Sequence, residues 1–156
     1  MTLTMGILSE SARKLKTFAT LDNGKRFRFV QAFIFTGFYR AFILFMPFNK
    51  LKTKMGKLKT ESPKEVDIEA HRKAREVRWA VLEAARHTPW ESKCLVQALA
   101  ASKMMKLRGV STTIYLGVRK NHKDEMLAHA WVRCGSFYIT GGEIRNEYAV
   151  VAKFAS

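Results

Sequence analysis

The apolar residues of this chain change their spacing at Gly109, and that change constrains the fold more than any other feature of the sequence. Before Gly109, apolar residues recur every three or four positions, as on the buried side of a helix. After it, short segments rich in β-branched and aromatic residues are separated by polar turns. The sequence therefore predicts an α+β protein, with helices over the first two-thirds and a small antiparallel sheet at the C-terminal end.

Four segments after Gly109 have the composition of strands, namely residues 111–118, 127–133, 136–140 and 148–154. A two-residue turn at Cys134 and Gly135 would join the second strand to the third. This register would place His129 opposite Thr140 on the neighbouring strand.

Two helices are predicted in the middle of the chain. Residues 62–65 (Ser-Pro-Lys-Glu) have the pattern of a capping box, and apolar residues then recur at helical spacing to about Arg86. Residues 88–91 (Thr-Pro-Trp-Glu) form a second capping box, with Ser92 as an alternative cap. The choice of cap decides whether Cys94 lies in the first turn or one turn deeper, and both placements remain open.

Residues 27–48 contain eight of the eleven phenylalanines. The segment approaches the length of a membrane span, but Arg40 near its middle would cost about 2.5–3.5 kcal/mol on insertion scales. Three placements remain open: a buried core helix with Arg40 at its edge, a helix lying at a membrane surface, and a span. Pro47 ends the segment, and residues 49–60 are predicted to form a linker or a short basic helix.

Basic residues are concentrated in the N-terminal part of the chain. Residues 1–60 contain twelve lysines and arginines against Glu10 and Asp22, which accounts for +10 of the net charge of +15. Such an excess attracts anionic lipids, acidic peptides or other polyanions. No recognition helix or base-stacking motif accompanies the charge, so we predict no nucleic-acid partner. We divide the chain into a basic, apolar helical region, 1–61, and a core domain, 62–156.

The two cysteines and four histidines lack the spacing of a metal site or a disulfide framework, so we predict no metal and no cofactor. Free thiols fit a reducing cytoplasm. Cys94 lies near the start of a helix, where the helix dipole favours a thiolate, and His129 follows on a strand. Cys134 lies on a turn and is a poor nucleophile. Structural roles for Cys94 and His129, as buried core residues, remain the alternative.

A catalytic imidazole needs a third group that holds its other ring nitrogen. The sequence offers Thr140, Glu143 or a backbone carbonyl near the expected position, with Asp124 as a lesser candidate, and we favour Glu143. Three further residues are candidates for oxyanion stabilisation or substrate binding, namely Trp90, Gln97 and Trp131.

Three motifs together resemble a known family: PWESKCL around Cys94, YLGV at residues 115–118, and AHAWV around His129. They resemble the leader peptidase of lasso-peptide biosynthesis, a stand-alone transglutaminase-like cysteine protease with a papain-like core. The resemblance covers residues 62–156. It implies a core in which the helix of the catalytic cysteine packs on a small antiparallel sheet, preceded by N-terminal helices. It also implies that Cys94 is the nucleophile and His129 the base. The third member in that family is usually aspartate, which this sequence lacks at the expected place.

The resemblance also implies a substrate and partners. The substrate would be the leader segment of a ribosomally made precursor peptide, delivered by a PqqD-like leader-recognition protein, and an ATP-dependent lasso cyclase would then act on the product. We expect a cytoplasmic location, with peripheral membrane contact through the basic N-terminal region as a further expectation. Two other functions remain open: a non-catalytic module that binds a membrane or a partner, and another cysteine acyl-transferase such as a transglutaminase or amidase.

Overall fold

The computed structural model describes the backbone of residues 2–156 and the side chains from Glu10 onward. Within this part of the chain the helices are α1 (Thr2–Thr20), α2 (Asn23–Phe45), α3 (Phe48–Met55), α4 (Ile68–His87) and α5 (Cys94–Lys106). The strands are β1 (Lys57–Leu58), β2 (Thr113–Lys120), β3 (Met126–Cys134), β4 (Phe137–Thr140) and β5 (Ala149–Ala155). A short 3-10 helix, Arg145–Glu147, precedes β5. The α+β class predicted from the sequence is confirmed.

The five strands form one antiparallel sheet in the order β1-β5-β2-β3-β4. Helices α4 and α5 pack on one face of it, and α2 packs on α4 and α5. Many of the buried residues of α4 and α5 are alanines, and Val77, Leu99 and Val132 are fully or almost fully buried in the same core. The helix of Cys94 therefore lies against the sheet that carries His129.

The turn between β3 and β4 differs from the predicted one. The two loop residues are Gly135 and Ser136, and Cys134 pairs with Phe137. Gly135 takes the first loop position with φ +58°, a conformation that two-residue hairpins require and that glycine adopts without strain. A bulge follows, so Thr140 pairs with Val132 and not with His129. The predicted turn was wrong by one residue, so Arg133 pairs with Tyr138, two residues beyond the predicted partner Ser136, and beyond the bulge the pairing differs by three residues.

Helix α4 also begins later than its capping-box pattern predicts. Its N-cap is Asp67, whose carboxylate accepts a hydrogen bond of 2.7 Å from the N–H of Ala70. The Ser62 hydroxyl instead forms a buried hydrogen bond of 2.8 Å with the Thr113 hydroxyl at the start of β2. A tertiary partner thus takes the side chain that the local pattern assigned to a cap. The predicted end near Arg86 is within one residue of the observed end.

Helix α2 has two different sides. Ala32, Thr36 and Tyr39 are buried, and Arg40 pairs with Glu91 across 2.9 Å at the edge of this contact. This side of α2 has the features of the core-helix placement, with Arg40 at its edge. The opposite side of α2 is exposed and apolar. By length and composition alone, α2 could cross a membrane, and it is the single helix of the described residues for which this holds.

Helix α3 follows α2 directly and contributes Leu51 and Met55 to the same core as α4 and α5. The predicted basic helix within residues 49–60 is therefore present as Phe48–Met55. The division of the chain at residue 61 stays a prediction, and the shared core shows that α2 and α3 pack directly on the later elements.

Candidate active site

Cys94 is the first residue of α5. The N-cap is Lys93, which makes no side-chain cap, and the first intrahelical hydrogen bond joins Gln97 N–H to the Lys93 carbonyl. The N–H groups of Cys94 and the two residues after it consequently have no partner within the helix. The thiol of Cys94 is half-buried beside the core. Of the two placements left open by the sequence, the structure has the one with Cys94 in the first turn.

Both residues considered as caps of α5 stabilise the loop before it instead. The Thr88 hydroxyl hydrogen-bonds the Ser92 hydroxyl at 2.8 Å and the Trp90 carbonyl at 3.1 Å. The side chain of Gln97 donates to the Ser92 carbonyl at 2.7 Å. These bonds fix the path of the chain from the end of α4 to Cys94.

Trp90 packs against α2. Its ring lies edge-on to Phe33, with centroids 4.9 Å apart, and directly over Gly37, where a methyl group would lie 2.9 Å from the indole. Its indole N–H is buried and lacks a hydrogen-bond partner among the described residues. In this structure Trp90 anchors the loop before Cys94 to α2, and the predicted substrate-binding roles of Trp90 and Gln97 stay predictions.

His129 lies on β3 with one ring nitrogen occupied. Its Nε2 is 2.7 Å from the carbonyl oxygen of Gly141. Because a carbonyl oxygen only accepts hydrogen bonds, Nε2 must carry the proton and donate it. In the neutral imidazole the lone pair is then on Nδ1. The contact with Gly141 therefore prepares Nδ1 to act as a base.

Gly141 is at a position that only glycine can occupy without strain. Its φ is +70°, and a methyl group there would collide with the carbonyl oxygen of Ala130 and lie 3.1 Å from His129 Nε2. A backbone carbonyl is among the orienting groups that the sequence leaves open, but the sequence does not single out Gly141. The Gly141–Gly142 pair is the sequence signal that could have indicated it.

Glu143, which the sequence analysis favoured as the orienting group, makes a different contact. Its carboxylate accepts a hydrogen bond of 2.7 Å from Arg78 of α4, and Arg78 also donates to the carbonyl of Ile139 at 2.8 Å. The hydrogen bond from Arg78 lowers the pKa of Glu143, and the charge of a protonated His129 lowers the same pKa to a smaller extent. Glu143 is thus near the imidazole, but the contact expected of it is made by Gly141.

The other two candidates for the third group also lie elsewhere. The Thr140 hydroxyl is buried and has no hydrogen-bond partner among the described residues. Asp124 lies in the turn between β2 and β3, where it pairs with Lys120 across 2.7 Å. Neither side chain is bonded to His129.

Two aromatic rings pack against His129. Trp131 stacks on the imidazole at a centroid distance of 5.7 Å, and Tyr148 lies 5.0 Å away. Gly117, which pairs with His129 across the sheet, leaves room for these rings, because a methyl group there would lie 2.7 Å from the Trp131 indole. Trp131 is buried and also stacks on Tyr115 at a centroid distance of 5.6 Å, and its predicted role in substrate binding stays a prediction. The roles of Gly117 and Tyr148 were not predicted from the sequence.

Cys94 and His129 approach the sheet from different directions. Helix α5 packs against the side of β3 that carries Ala130 and Val132, and because side chains alternate along a strand, His129 projects from the other side. Among residues 10–156, no hydrogen bond joins the Cys94 thiol to His129. β4 ends at Thr140, so β3 is the edge of the sheet near His129. These contacts place the Cys94 helix and the His129 side chain on different faces of β3.

The second cysteine is unsuited to nucleophilic chemistry. Cys134 is fully buried at the end of β3, and burial raises the pKa of its thiol. A raised pKa disfavours the thiolate, which is the reactive form. The structure thus agrees with the sequence analysis in setting Cys134 aside.

Comparison with known families identifies the domain. Residues 42–153 match the family model described as Transglutaminase-like superfamily, a range that includes both Cys94 and His129. The chain belongs to the transglutaminase-like superfamily. Neither the comparison with curated proteins nor that with solved structures found a match. Members of the superfamily are usually cysteine-dependent enzymes, and this membership supports a general function in cysteine-dependent acyl transfer.

Proposed function

We propose that this transglutaminase-like protein is a cysteine peptidase that removes the leader from the precursor of a lasso peptide. The observation that carries the chemistry is the contact of His129 Nε2 with the Gly141 carbonyl, which leaves the lone pair of Nδ1 available as a base. Cys94 begins the helix that packs on the other face of the same strand, so proton transfer requires its thiol to reach Nδ1 around the edge of β3 near His129. The resemblance of the motifs around Cys94 and His129 to lasso leader peptidases supports the choice of substrate.

In the proposed reaction His129 Nδ1 takes the proton of Cys94, and the thiolate attacks the carbonyl carbon of the scissile peptide bond. The resulting oxyanion is stabilised by N–H groups at the start of α5, which have no partner within the helix. The imidazolium then donates its proton to the leaving amine, and a thioester remains on Cys94. His129 next takes a proton from water, and the hydroxide attacks the thioester, whose C–S bond breaks to release the leader acid and the Cys94 thiolate. The imidazolium then returns its proton to the thiolate, which restores the thiol.

The Gly141 carbonyl would orient the ring as a carboxylate does in other triads, but without a full negative charge. It therefore fixes the tautomer of His129 while stabilising the imidazolium less than a carboxylate would. Glu143, paired with Arg78, contributes a negative charge near the ring without touching it. We assign Glu143 a supporting electrostatic role in place of the triad position.

The proposed partners are a PqqD-like protein that binds the leader and a lasso cyclase that acts on the released core. The basic character of the chain supports an acidic leader or partner surface, because residues 1–60 carry a net charge of +10 from twelve basic and two acidic residues. We propose that the protein acts in the cytoplasm, where its two thiols stay reduced.

The test is cleavage of a lasso precursor peptide in the presence of its PqqD-like protein, followed by mass spectrometry. Cys94→Ala should lower the cleavage rate by roughly 10³-fold or more, because the nucleophile is lost. Cys134→Ala removes the other thiol and should retain activity, which makes it the matched control. Cleavage by Cys94→Ala at the rate of the wild type would refute the proposal.

The same assay separates a peptidase from other acyl-transferases. With a primary amine present, a transglutaminase would join the acyl group of Cys94 to the amine, whereas a peptidase would release the free leader acid. A product that carries the amine would replace the peptidase proposal with the transglutaminase alternative. Failure of every acyl transfer, together with an unreactive Cys94, would favour the non-catalytic alternative.

A further inference from the structure

One side of α2 is exposed and wholly apolar. We define the α2 stripe as the residues that recur there every three or four positions, namely Phe27, Val30, Ile34, Phe38, Ala41 and Phe45. The five large side chains among them are between 44% and 81% exposed. At 1.5 Å per residue the stripe is about 27 Å long. Contiguous exposed apolar surface on this scale usually marks a binding site.

The other side of α2 is packed against the rest of the protein, so the helix cannot rotate to bury the stripe in the core of the same chain. Ala32 and Thr36 are completely buried, and Tyr39 nearly so. At the flanks, Arg28 pairs with Glu76 at 3.4 Å and Arg40 pairs with Glu91 at 2.9 Å. A membrane-spanning α2 would have to lose this packing and carry two arginines into hydrocarbon. The stripe is therefore suited to contact with an external apolar surface while α2 stays packed on the domain.

The corner between α2 and α3 extends the apolar surface and adds positive charge. Leu44, Phe45, Met46 and Phe48 surround Pro47 and are all exposed by 42% or more. Three exposed lysines follow on α3, namely Lys50, Lys52 and Lys54, and none forms an ion pair with a carboxylate in residues 10–156. Lys52 Nζ lies 5.3 Å from the centre of the Phe48 ring. Apolar groups and cations thus stand side by side.

We propose that the α2 stripe and the α2–α3 corner dock on the surface of an anionic phospholipid bilayer, with α2 in the plane of the interface. The stripe enters the boundary between headgroups and acyl chains, and the α3 lysines bind the lipid phosphates. Charge complementarity favours a lipid surface, because the region 1–60 has ten more basic than acidic residues. The proposal concerns attachment and does not depend on the chemistry of Cys94.

The test is co-sedimentation of the full chain with vesicles of mixed phosphatidylcholine and phosphatidylglycerol, and with vesicles of phosphatidylcholine alone. We expect binding to the anionic vesicles, weaker binding to the neutral ones, and loss of binding as ionic strength rises. No binding to the anionic vesicles, or equal binding to both kinds, would overturn the proposal.

A matched pair of variants locates the surface. Ile34 is 59% exposed in the middle of the stripe, and Ile68 is 90% exposed at the start of α4. Ile34→Glu should reduce partitioning onto anionic vesicles at least tenfold, while Ile68→Glu, with the same change of charge, should bind as the wild type does. Equal binding by the two variants would contradict the proposed surface. Ile34→Ser, which adds no charge, serves as the second variant, and circular dichroism checks that each variant is folded.

Sedimentation velocity without vesicles tests the competing occupant. A second copy of the chain on the stripe would make the wild type a dimer and Ile34→Glu a monomer. If the wild type is a dimer, Ile34→Glu is a monomer and the wild type does not bind vesicles, the stripe is a dimer interface and the lipid proposal is wrong. A wild type that is monomeric and binds anionic vesicles supports it.

Discussion

At the scale of single residues, the orientation of His129 depends on Gly141, at a position where any larger residue would clash with its neighbours. Gly141 presents its carbonyl to His129 because its backbone has φ +70° and because no Cβ separates it from Ala130. A search for acidic residues favours Glu143, since side-chain chemistry can be seen in a sequence and the direction of a carbonyl cannot. The residue that accepts the hydrogen bond from His129 is thus identified only by backbone geometry.

Gly141→Ala and Gly109→Ala form a matched comparison. Both glycines have φ near +70°, so each variant should lose about 1 kcal/mol of unfolding free energy from backbone strain. Nothing lies within 4 Å of a methyl group at Gly109, whereas one at Gly141 meets Ala130 and His129. Gly141→Ala should therefore be the less stable variant in urea and should lose cleavage activity, while Gly109→Ala stays active. Equal activity of the two would show that the carbonyl of Gly141 does not position His129.

The two thiols should differ in their reaction with iodoacetamide. Cys94 is half-buried at a helix N-terminus, whereas Cys134 is fully buried and has a raised pKa. At neutral pH the folded protein should be alkylated at Cys94 with Cys134 spared, and both should react after denaturation in guanidinium. Peptide mapping by mass spectrometry identifies the modified residue. Alkylation of Cys134 ahead of Cys94 would contradict this difference in environment.

At the scale of elements, the sequence predicts which segments are helices and strands better than where they begin. The periodic segments of α4 and α5 and the four main strands are present within about two residues at most of their ends. The starts of both helices differ, because Ser62 binds Thr113 and Thr88 binds Ser92 and Trp90 instead of capping a helix. A capping motif describes one local option; a partner distant in sequence replaces it at Ser62, and other local hydrogen bonds replace it at Thr88.

The observed start of α4 has a measurable consequence. Asp67 accepts a hydrogen bond from Ala70 N–H, so Asp67→Ala should lower the free energy of unfolding by about 1 kcal/mol. The capping-box pattern would place Glu65 at the third helical position, but Glu65 is exposed and lies outside the helix. Glu65→Ala should therefore change the free energy of unfolding by less than about 0.5 kcal/mol. Urea unfolding followed by circular dichroism measures both values. A larger loss of unfolding free energy in Glu65→Ala than in Asp67→Ala would indicate that the helix begins at residues 62–65.

At the scale of the whole molecule, α2 and α3 belong to the same hydrophobic core as the later elements. Met55 of α3 is completely buried, and Tyr39 of α2 is almost completely buried in the same core. The family match, which begins at residue 42, likewise includes the end of α2. The N-terminal helices are consequently expected to unfold together with the sheet domain.

Met55 and Met46 test this coupling. Met55→Ala should lower the free energy of unfolding by about 2–5 kcal/mol, because it leaves a cavity in a packed core. Met46 is 42% exposed at the end of α2, and Met46→Ala should cost less than about 0.5 kcal/mol. Both variants should still unfold in a single transition when tryptophan fluorescence and circular dichroism are compared. A small effect of Met55→Ala would mean that α3 is only loosely attached to the core.

The sequence by itself determined the α+β class, the helix that begins near Cys94 and the strand that carries His129, because the spacing of apolar residues depends only on local geometry. Tertiary structure decided the register of β4, the partner of His129 and the side of α2 that faces outward. The bulge at Ile139, opposite Val132 and Arg133, shifts β4 relative to β3, and the Gly141 carbonyl that follows β4 meets the imidazole. Such contacts join residues that are distant in sequence, and local spacing does not record which of them meet.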